Sequence, residues 1–149
     1  MDFETFRNQA IGQMIREATQ KESQFIDRYL QDHLGKSVHH VEGMMLGYIY
    51  DNQDKKIQAN DIVKTFHLSK ATVSQTLHRL LDKGFVTFTD GEDHRNKVIH
   101  LTEEGKKAHE DFRSCFRNIT ETLENGFTEK EKEQLSVLLF RFWNNAEIK

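Results

Sequence analysis

The chain has 149 residues, of which 36% are apolar and 30% charged, with a formal net charge of −3, one cysteine and no proline. That balance describes a single soluble globular domain and excludes a disordered chain. A lone cysteine, Cys115, excludes an internal disulfide or a cysteine zinc framework and suits a reducing compartment. The opening residues MDFETFRNQ are too polar for a signal peptide, and no apolar run approaches the roughly 18 residues of a membrane span, so a cytoplasmic protein with no membrane partner is expected.

In chain order, Phe3, Phe6, Ala10, Ile11, Met14, Ile15, Ala18, Phe25, Ile26, Tyr29 and Leu30 form a helical stripe from Asp2 to about Leu34. A polar gap at Thr19–Gln24 is read as an interruption, and Gly35 as the stop. A second helix is expected from about His39, with Val41, Met44, Met45, Tyr48 and Ile49 on one face and Asp51–Asp54 as the closing turn. Ile57–Ala59 is expected to add a short strand to a later hairpin, and Asn60 to cap a helix Asp61–Phe66.

Ser69 should cap the next helix, Lys70–Lys83, because its hydroxyl can accept a backbone N–H that a helix start leaves unpaired. Val73, Leu77 and Leu80 then point inward, while Lys70, Thr72, Ser74, Gln75, His78 and Arg79 point out. Gly84 suits the left-handed position that ends the helix. Phe85–Thr89 and Lys97–Leu101 read as strands joined by the charged tip Asp90–Asn96. Beyond them, Thr102-Glu103-Glu104 opens a helix with Ala108, Phe112, Cys115, Phe116, Ile119 and Leu123 on its apolar side, ended by Gly126. Thr128 and Glu131 form a capping box for a last helix expected to bury Leu135, Leu138, Leu139, Phe142 and Trp143.

Helix, turn, helix and hairpin over residues 57–102 make a winged helix-turn-helix, so the fold class is mainly α with a small β wing, and double-stranded DNA is the expected partner. The negative total charge hides a local excess: from Lys64 to Lys97 six cations face four carboxylates, a net +2. A lobe of about 45 residues is too small for a robust core of its own. The helices of 1–35 and 103–149, rich in phenylalanine, are therefore expected to be dimerisation helices flanking the lobe within one 1–149 domain. A two-fold homodimer would offer two recognition helices to half-sites about one DNA turn apart. Gln75 has the chemistry for adenine, Lys70 that for guanine or phosphate, and Arg79 that for phosphate or a neighbouring carboxylate.

The stretches Asn60-Asp61-Ile62, Leu68 through Ser74, Leu80 through Val86, Asp93-His94-Arg95 and Leu101-Thr102-Glu103-Glu104-Gly105 together resemble the MarR family of bacterial transcription regulators. The D-x-R of the wing followed by L-T-x-x-G is the specific part; the likeness is close over about 50 residues and extends through the helix order. The resemblance implies a homodimer with the Lys70–Lys83 helix in the major groove and Arg95 in the adjacent minor groove, oriented by Asp93. It also implies a ligand-responsive repressor on a pseudo-palindromic operator. A small-molecule effector pocket between the dimer helices and the DNA-binding lobe would be lined by Met44 and Tyr48, with His39 and His40 beside them.

Other classes carry less. His39, His40, His100 and His109 could form a metal-sensing site with Glu42 or Glu110, but no ligand spacing within one helix demands it, and neither a metal nor another cofactor is expected. Cys115 lies on an apolar face, where a thiol is usually a small buried hydrophobe. No P-loop, dinucleotide glycine motif, H-E-x-x-H or nucleophile elbow is present, so no enzyme is expected. A winged-helix protein-interaction module without DNA specificity is the alternative from another class.

Overall fold

The computed structural model describes residues 1–35 and 38–147, so the last two residues of the expected dimerisation segment lie outside it. Seven helices and two strands follow in the order α1 (Phe3–Arg7), α2 (Ile11–Leu34), α3 (His40–Asp51), α4 (Ala59–Phe66), α5 (Lys70–Asp82), β1 (Val86–Asp90), β2 (Lys97–Leu101), α6 (Glu103–Leu123) and α7 (Glu129–Ala146) among the described residues. The chain divides into two compact units, residues 1–117 and 118–149, with the boundary inside α6.

In the first unit, α3, α4, α5 and the hairpin enclose one core. Met45, Leu46 and Ile49 of α3, Ile62 of α4, Val73, Leu77 and Leu80 of α5, and Val86, Val98 and Ile99 of the strands are all buried. Burial of side chains this size contributes about 1.5–3 kcal/mol each. The strands pair antiparallel, with Val86 opposite Leu101, Phe88 opposite Ile99 and Asp90 opposite Lys97. Ser69 caps α5 as expected: its Oγ accepts the Thr72 N–H at 3.1 Å. Gly84, at φ +75°, takes the left-handed turn out of the helix.

The L-T-x-x-G motif has a local physical cause. Thr102 Oγ1 donates to the Gly84 carbonyl at 2.6 Å and accepts the Gly105 N–H at 3.0 Å, so one hydroxyl both caps α6 and ties it to the end of α5. Gly105 packs so tightly that a Cβ there would lie 2.0 Å from the Phe85 carbonyl oxygen. Gly43 on α3 is equally constrained, since an added Cβ would fall 2.2 Å from the Phe112 ring of α6.

Several expectations are corrected. The polar gap at Thr19–Gln24 is an exposed stretch of an unbroken helix, as a gap in the stripe implies, but the single helix expected from Asp2 is divided. The break lies at Asn8–Ala10, where Asn8 caps the short α1. The buried face of α3 is Glu42, Gly43, Met45, Leu46 and Ile49, and Met44 is exposed. The α4 helix starts at Ala59 after Gln58, whose N–H donates to Asp61 at 2.9 Å, so Asn60 is already inside it. Ile57 contributes a single backbone bond to the hairpin, accepting the Ile99 N–H at 2.9 Å, and no third strand forms among the described residues.

The second unit departs furthest from expectation. The capping box at Thr128 is present, with Glu131 accepting the Thr128 N–H at 2.8 Å and Thr128 Oγ1 accepting the Glu131 N–H at 3.2 Å. Yet α7 buries none of its residues. Leu135, Val137, Leu138, Leu139, Phe140, Phe142 and Trp143 all stand exposed, Trp143 at 62%. The periodicity was right for a helix with an apolar face, but among the described residues of its own unit nothing covers that face.

Candidate nucleic-acid interface

The α5 helix divides its residues cleanly. Val73, Thr76, Leu77 and Leu80 are buried, and Lys70, Thr72, Ser74, Gln75, His78 and Arg79 are exposed. Among the described residues, the side chains of Lys70 and Gln75 enter no hydrogen bond or ion pair with the protein, leaving the ammonium and amide available to a ligand. The Thr72 hydroxyl lies 2.8 Å from Ser69 Oγ and is partly committed to the cap. His78 Nδ1 lies 2.7 Å from the Ser74 carbonyl, which can only accept, so Nδ1 carries a proton and Nε2 is the ring nitrogen left to a ligand. Phe88 of β1 meets that ring edge-on, with centroids 6.4 Å apart, and fixes its plane.

Arg79 is held differently. Its Nε donates to Glu42 Oε1 at 3.1 Å and its Nη2 to Thr76 Oγ1 at 3.1 Å. Lys83 Nζ donates to the other carboxylate oxygen of Glu42 at 2.7 Å. Glu42 is fully buried and also accepts the His39 N–H at 3.2 Å. Burial by itself would raise the Glu42 carboxyl, but hydrogen bonds from Lys83, the His39 backbone and Arg79 outweigh it and hold the group below its ordinary range. Glu42 entered the sequence reading only as a candidate metal ligand. Its position three residues after the helix cap was a visible sign of a capping role, but its cationic partners lie 37 and 41 residues away.

The wing tip is a tight, backbone-bonded turn. Asp93 Oδ1 accepts the Arg95 N–H at 3.1 Å, the Asn96 N–H donates to the Asp93 carbonyl at 2.9 Å, and the Gly91 N–H donates to the Asn96 carbonyl at 3.0 Å. An ion pair between Asp90 and Lys97 closes its base. Asp93 therefore folds the turn through the Arg95 backbone, and the exposed Arg95 guanidinium forms no ion pair among the described residues.

The remaining candidates are more scattered. His40, Met44 and Tyr48 recur at four-residue spacing along α3. Among them Met44 is 40% exposed, while His40 stacks on Phe116 at 5.6 Å and Tyr48 meets Phe66 edge-on at 5.8 Å. His39 stands apart, as the cap residue of α3. His100 bonds Thr89 at 2.7 Å, and His109 is buried against Tyr50 at 4.7 Å. Among the described residues no three His, Cys, Asp or Glu side chains converge as a metal site would require. Cys115 is buried, and that burial together with Asp111 raises its thiol, the opposite of a reactive cysteine. No described helix is long and apolar enough to cross a membrane.

A capped helix with a polar outer row, preceded by a short helix and followed by a two-stranded wing, defines a winged helix-turn-helix protein. Residues 37–96 match the MarR family model. The chain is similar to YwoH of Bacillus subtilis (strain 168), an uncharacterised HTH-type transcriptional regulator, with 32% identity over 55% of this chain and 60% of that one. It is also similar to the HTH-type transcriptional repressor YetL of the same organism, with 27% identity over 70% of this chain and 64% of the other. Each match thus spans less than two thirds of the relative's own length. Among solved structures, the S. aureus MepR–DNA complex superposes with a TM-score of 0.83 and 28% identity, covering 94% of this chain and all of that one. Residues 37–96 thus carry the MarR family pattern, within a fold like that of the MepR–DNA complex.

Proposed function

We propose that this protein is a cytoplasmic, homodimeric, sequence-specific DNA-binding regulator of transcription, acting as a ligand-responsive repressor on a pseudo-palindromic operator. The observation that carries the reading is the outer row of α5, where Lys70, Ser74, Gln75 and His78 stand exposed on a helix whose opposite face is locked into the core. Lys70 and Gln75 supply unengaged donors, and His78 leaves Nε2 to a ligand, so the row can read base edges in a major groove. Arg95 enters the neighbouring minor groove, where the negative potential is concentrated and a weakly hydrated guanidinium is at an advantage. Thr72 reaches backbone or base from the cap, whereas Arg79 and Asp93 act indirectly, Arg79 through Glu42 and Asp93 by shaping the wing. Support for DNA as the ligand comes from the MepR neighbour, which was solved as a DNA complex, and for repression from YetL.

The second copy covers the apolar face of α7. A monomer rarely leaves so many large apolar side chains in water on one helix, and a two-fold partner both removes that cost and supplies the second recognition helix. Residues 57–102 form the DNA-binding lobe, and 1–35 and 103–149 the dimerisation segments. A small-molecule effector binds along the His40, Met44 and Tyr48 stripe and lowers DNA affinity by favouring a different lobe spacing. The reading is tested by selecting bound duplexes from a random pool at near-physiological salt. An enriched inverted repeat with half-sites about 10 base pairs apart is the expected result. A folded dimer that enriches no sequence, with or without candidate effectors, would favour a protein-interaction module.

A further inference from the structure

We infer that Glu42 is a specificity-setting positioning residue: it withholds Arg79 and Lys83 from DNA phosphates and fixes α5 so that its N-terminal end does the reading. The inference rests on the DNA-binding reading above and names a control within that site. Glu42 lies on α3, outside the recognition helix, yet its two carboxylate oxygens take one hydrogen bond each from Arg79 and Lys83, at 3.1 and 2.7 Å. The network continues outward, because Arg79 Nη2 donates to Thr76 Oγ1 at 3.1 Å and Thr76 Oγ1 donates to the Thr72 carbonyl at 2.8 Å. One buried carboxylate is thereby linked to the backbone of the first turns of α5.

Charge placement gives this network a functional consequence. The cations of α5 and its C-cap are Lys70, Arg79 and Lys83. The two at the C-terminal end share Glu42, and the one at the N-terminal end has no protein partner among the described residues. The attraction of α5 for phosphate is therefore concentrated at its N-terminus, the end by which recognition helices contact bases. By 100° per residue, Arg79 falls at the border between the exposed row and the buried face, and half of its side-chain surface is open to solvent. Without the carboxylate, its guanidinium would swing to the nearest phosphate. Phosphate contacts add affinity for every sequence alike, so such a release would raise non-specific binding and blur register. An apolar contact between α3 and α5 would hold the helices together without desolvating a charge. What the carboxylate adds is directional restraint on two cations.

The experiment compares the full chain with Glu42→Gln on a selected operator duplex and on a scrambled duplex of equal length, across a salt series. Glu42→Gln keeps the shape and removes the charge. We expect it to bind the scrambled duplex more tightly than wild type, with log affinity falling more steeply against log salt by about one to two, one for each released cation that reaches a phosphate. The ratio of operator to scrambled affinity should drop roughly tenfold or more. Arg79→Met serves where Glu42→Gln fails to fold: the salt slope should stay at the wild-type value while operator affinity falls. A folded Glu42→Gln with wild-type slope and ratio overturns the inference, as does an Arg79→Met slope flatter by about one, which would make Arg79 a phosphate contact. A wild-type chain that binds both duplexes equally would instead overturn the DNA reading itself, and this inference with it.

Discussion

The winged lobe and α7 have similar apolar patterning in sequence and opposite fates in the structure. In the lobe and the α3 helix packed on it, Met45, Leu46, Ile62, Val73 and Leu80 are wholly buried; Ser69 caps α5, Thr102 donates to the Gly84 carbonyl, and Glu42 accepts from Arg79. Along α7, Leu138, Phe140 and Trp143 are each more than half exposed. The difference teaches that a helical apolar stripe reports that a face will be covered, and says nothing about which chain covers it. The lobe has its cover within reach of its own loops, whereas α7 has a cap, a periodicity and no cover among the described residues of its own unit.

The comparison can be broken most forcefully at the lobe's close approaches. Gly105→Ala places a methyl against the Phe85 carbonyl, and Gly43→Ala places one inside the Phe112 ring. Each should destabilise the lobe by about 3 kcal/mol, read as a fall in the midpoint of thermal or urea unfolding. A change of under about 1 kcal/mol would show that the backbone yields there more easily than overpacked cores usually do. On α7 the prediction inverts. Replacing Leu138 and Trp143 together by Glu should leave helicity nearly unchanged, because both are more than half exposed. The same pair should weaken dimerisation about a thousandfold in sedimentation equilibrium, at about 2 kcal/mol for each central apolar contact. Persistence of the dimer would place the interface elsewhere.

Smaller effects sharpen the picture within the lobe. Arg95 is exposed and carries no ion pair among the described residues, so Arg95→Ala should leave the melting temperature where it is. It should weaken operator binding by about 1–3 kcal/mol, measured by fluorescence anisotropy. Unchanged affinity would remove Arg95 from the interface. Smallest is a pH effect from α3 and α6. Burial lowers both His40 and His109, against Asp27 and Glu22 for the first and against Asp51 and Glu110, with Arg113 assisting burial, for the second. Their folded values lie below the ordinary 6.5, so the unfolded chain binds more protons in that window. Stability is then fully present above pH 6.5 and declines as pH falls through the folded values. His109→Gln should flatten that decline in melts between pH 7.5 and pH 5; an unchanged slope would assign it to other groups (the pH limits are about one unit either side of a histidine's usual range).

Much of the fold was legible because its signals are local. The Ser69 cap, the Gly84 turn, the Val73, Leu77 and Leu80 stripe and the Thr128–Glu131 box each span only a few residues, and all stand as read. What could not be read depends on neighbours distant in sequence or absent from the chain. The polar gap at Thr19–Gln24 interrupts the apolar stripe and leaves the helix whole, while the break at Asn8–Ala10 has neither glycine nor proline to mark it. Met44 and Met45 are adjacent and chemically identical, and only the approach of the other elements decides which is buried. Glu42 was read only as a candidate metal ligand, because its hold on Arg79 and Lys83 depends on the packing of α3 against α5.

The central claim, that the outer row of α5 and the wing read DNA, is tested most directly by hydroxyl-radical footprinting of wild type and Arg95→Ala on a selected operator. For wild type the account predicts two protected half-sites about 10 base pairs apart, each with a protected minor groove on its flank. Arg95→Ala, at matched occupancy, should lose the flanking protection and keep the rest. A wild-type protein that protects no site, or an Arg95→Ala footprint identical to that of wild type, would contradict it.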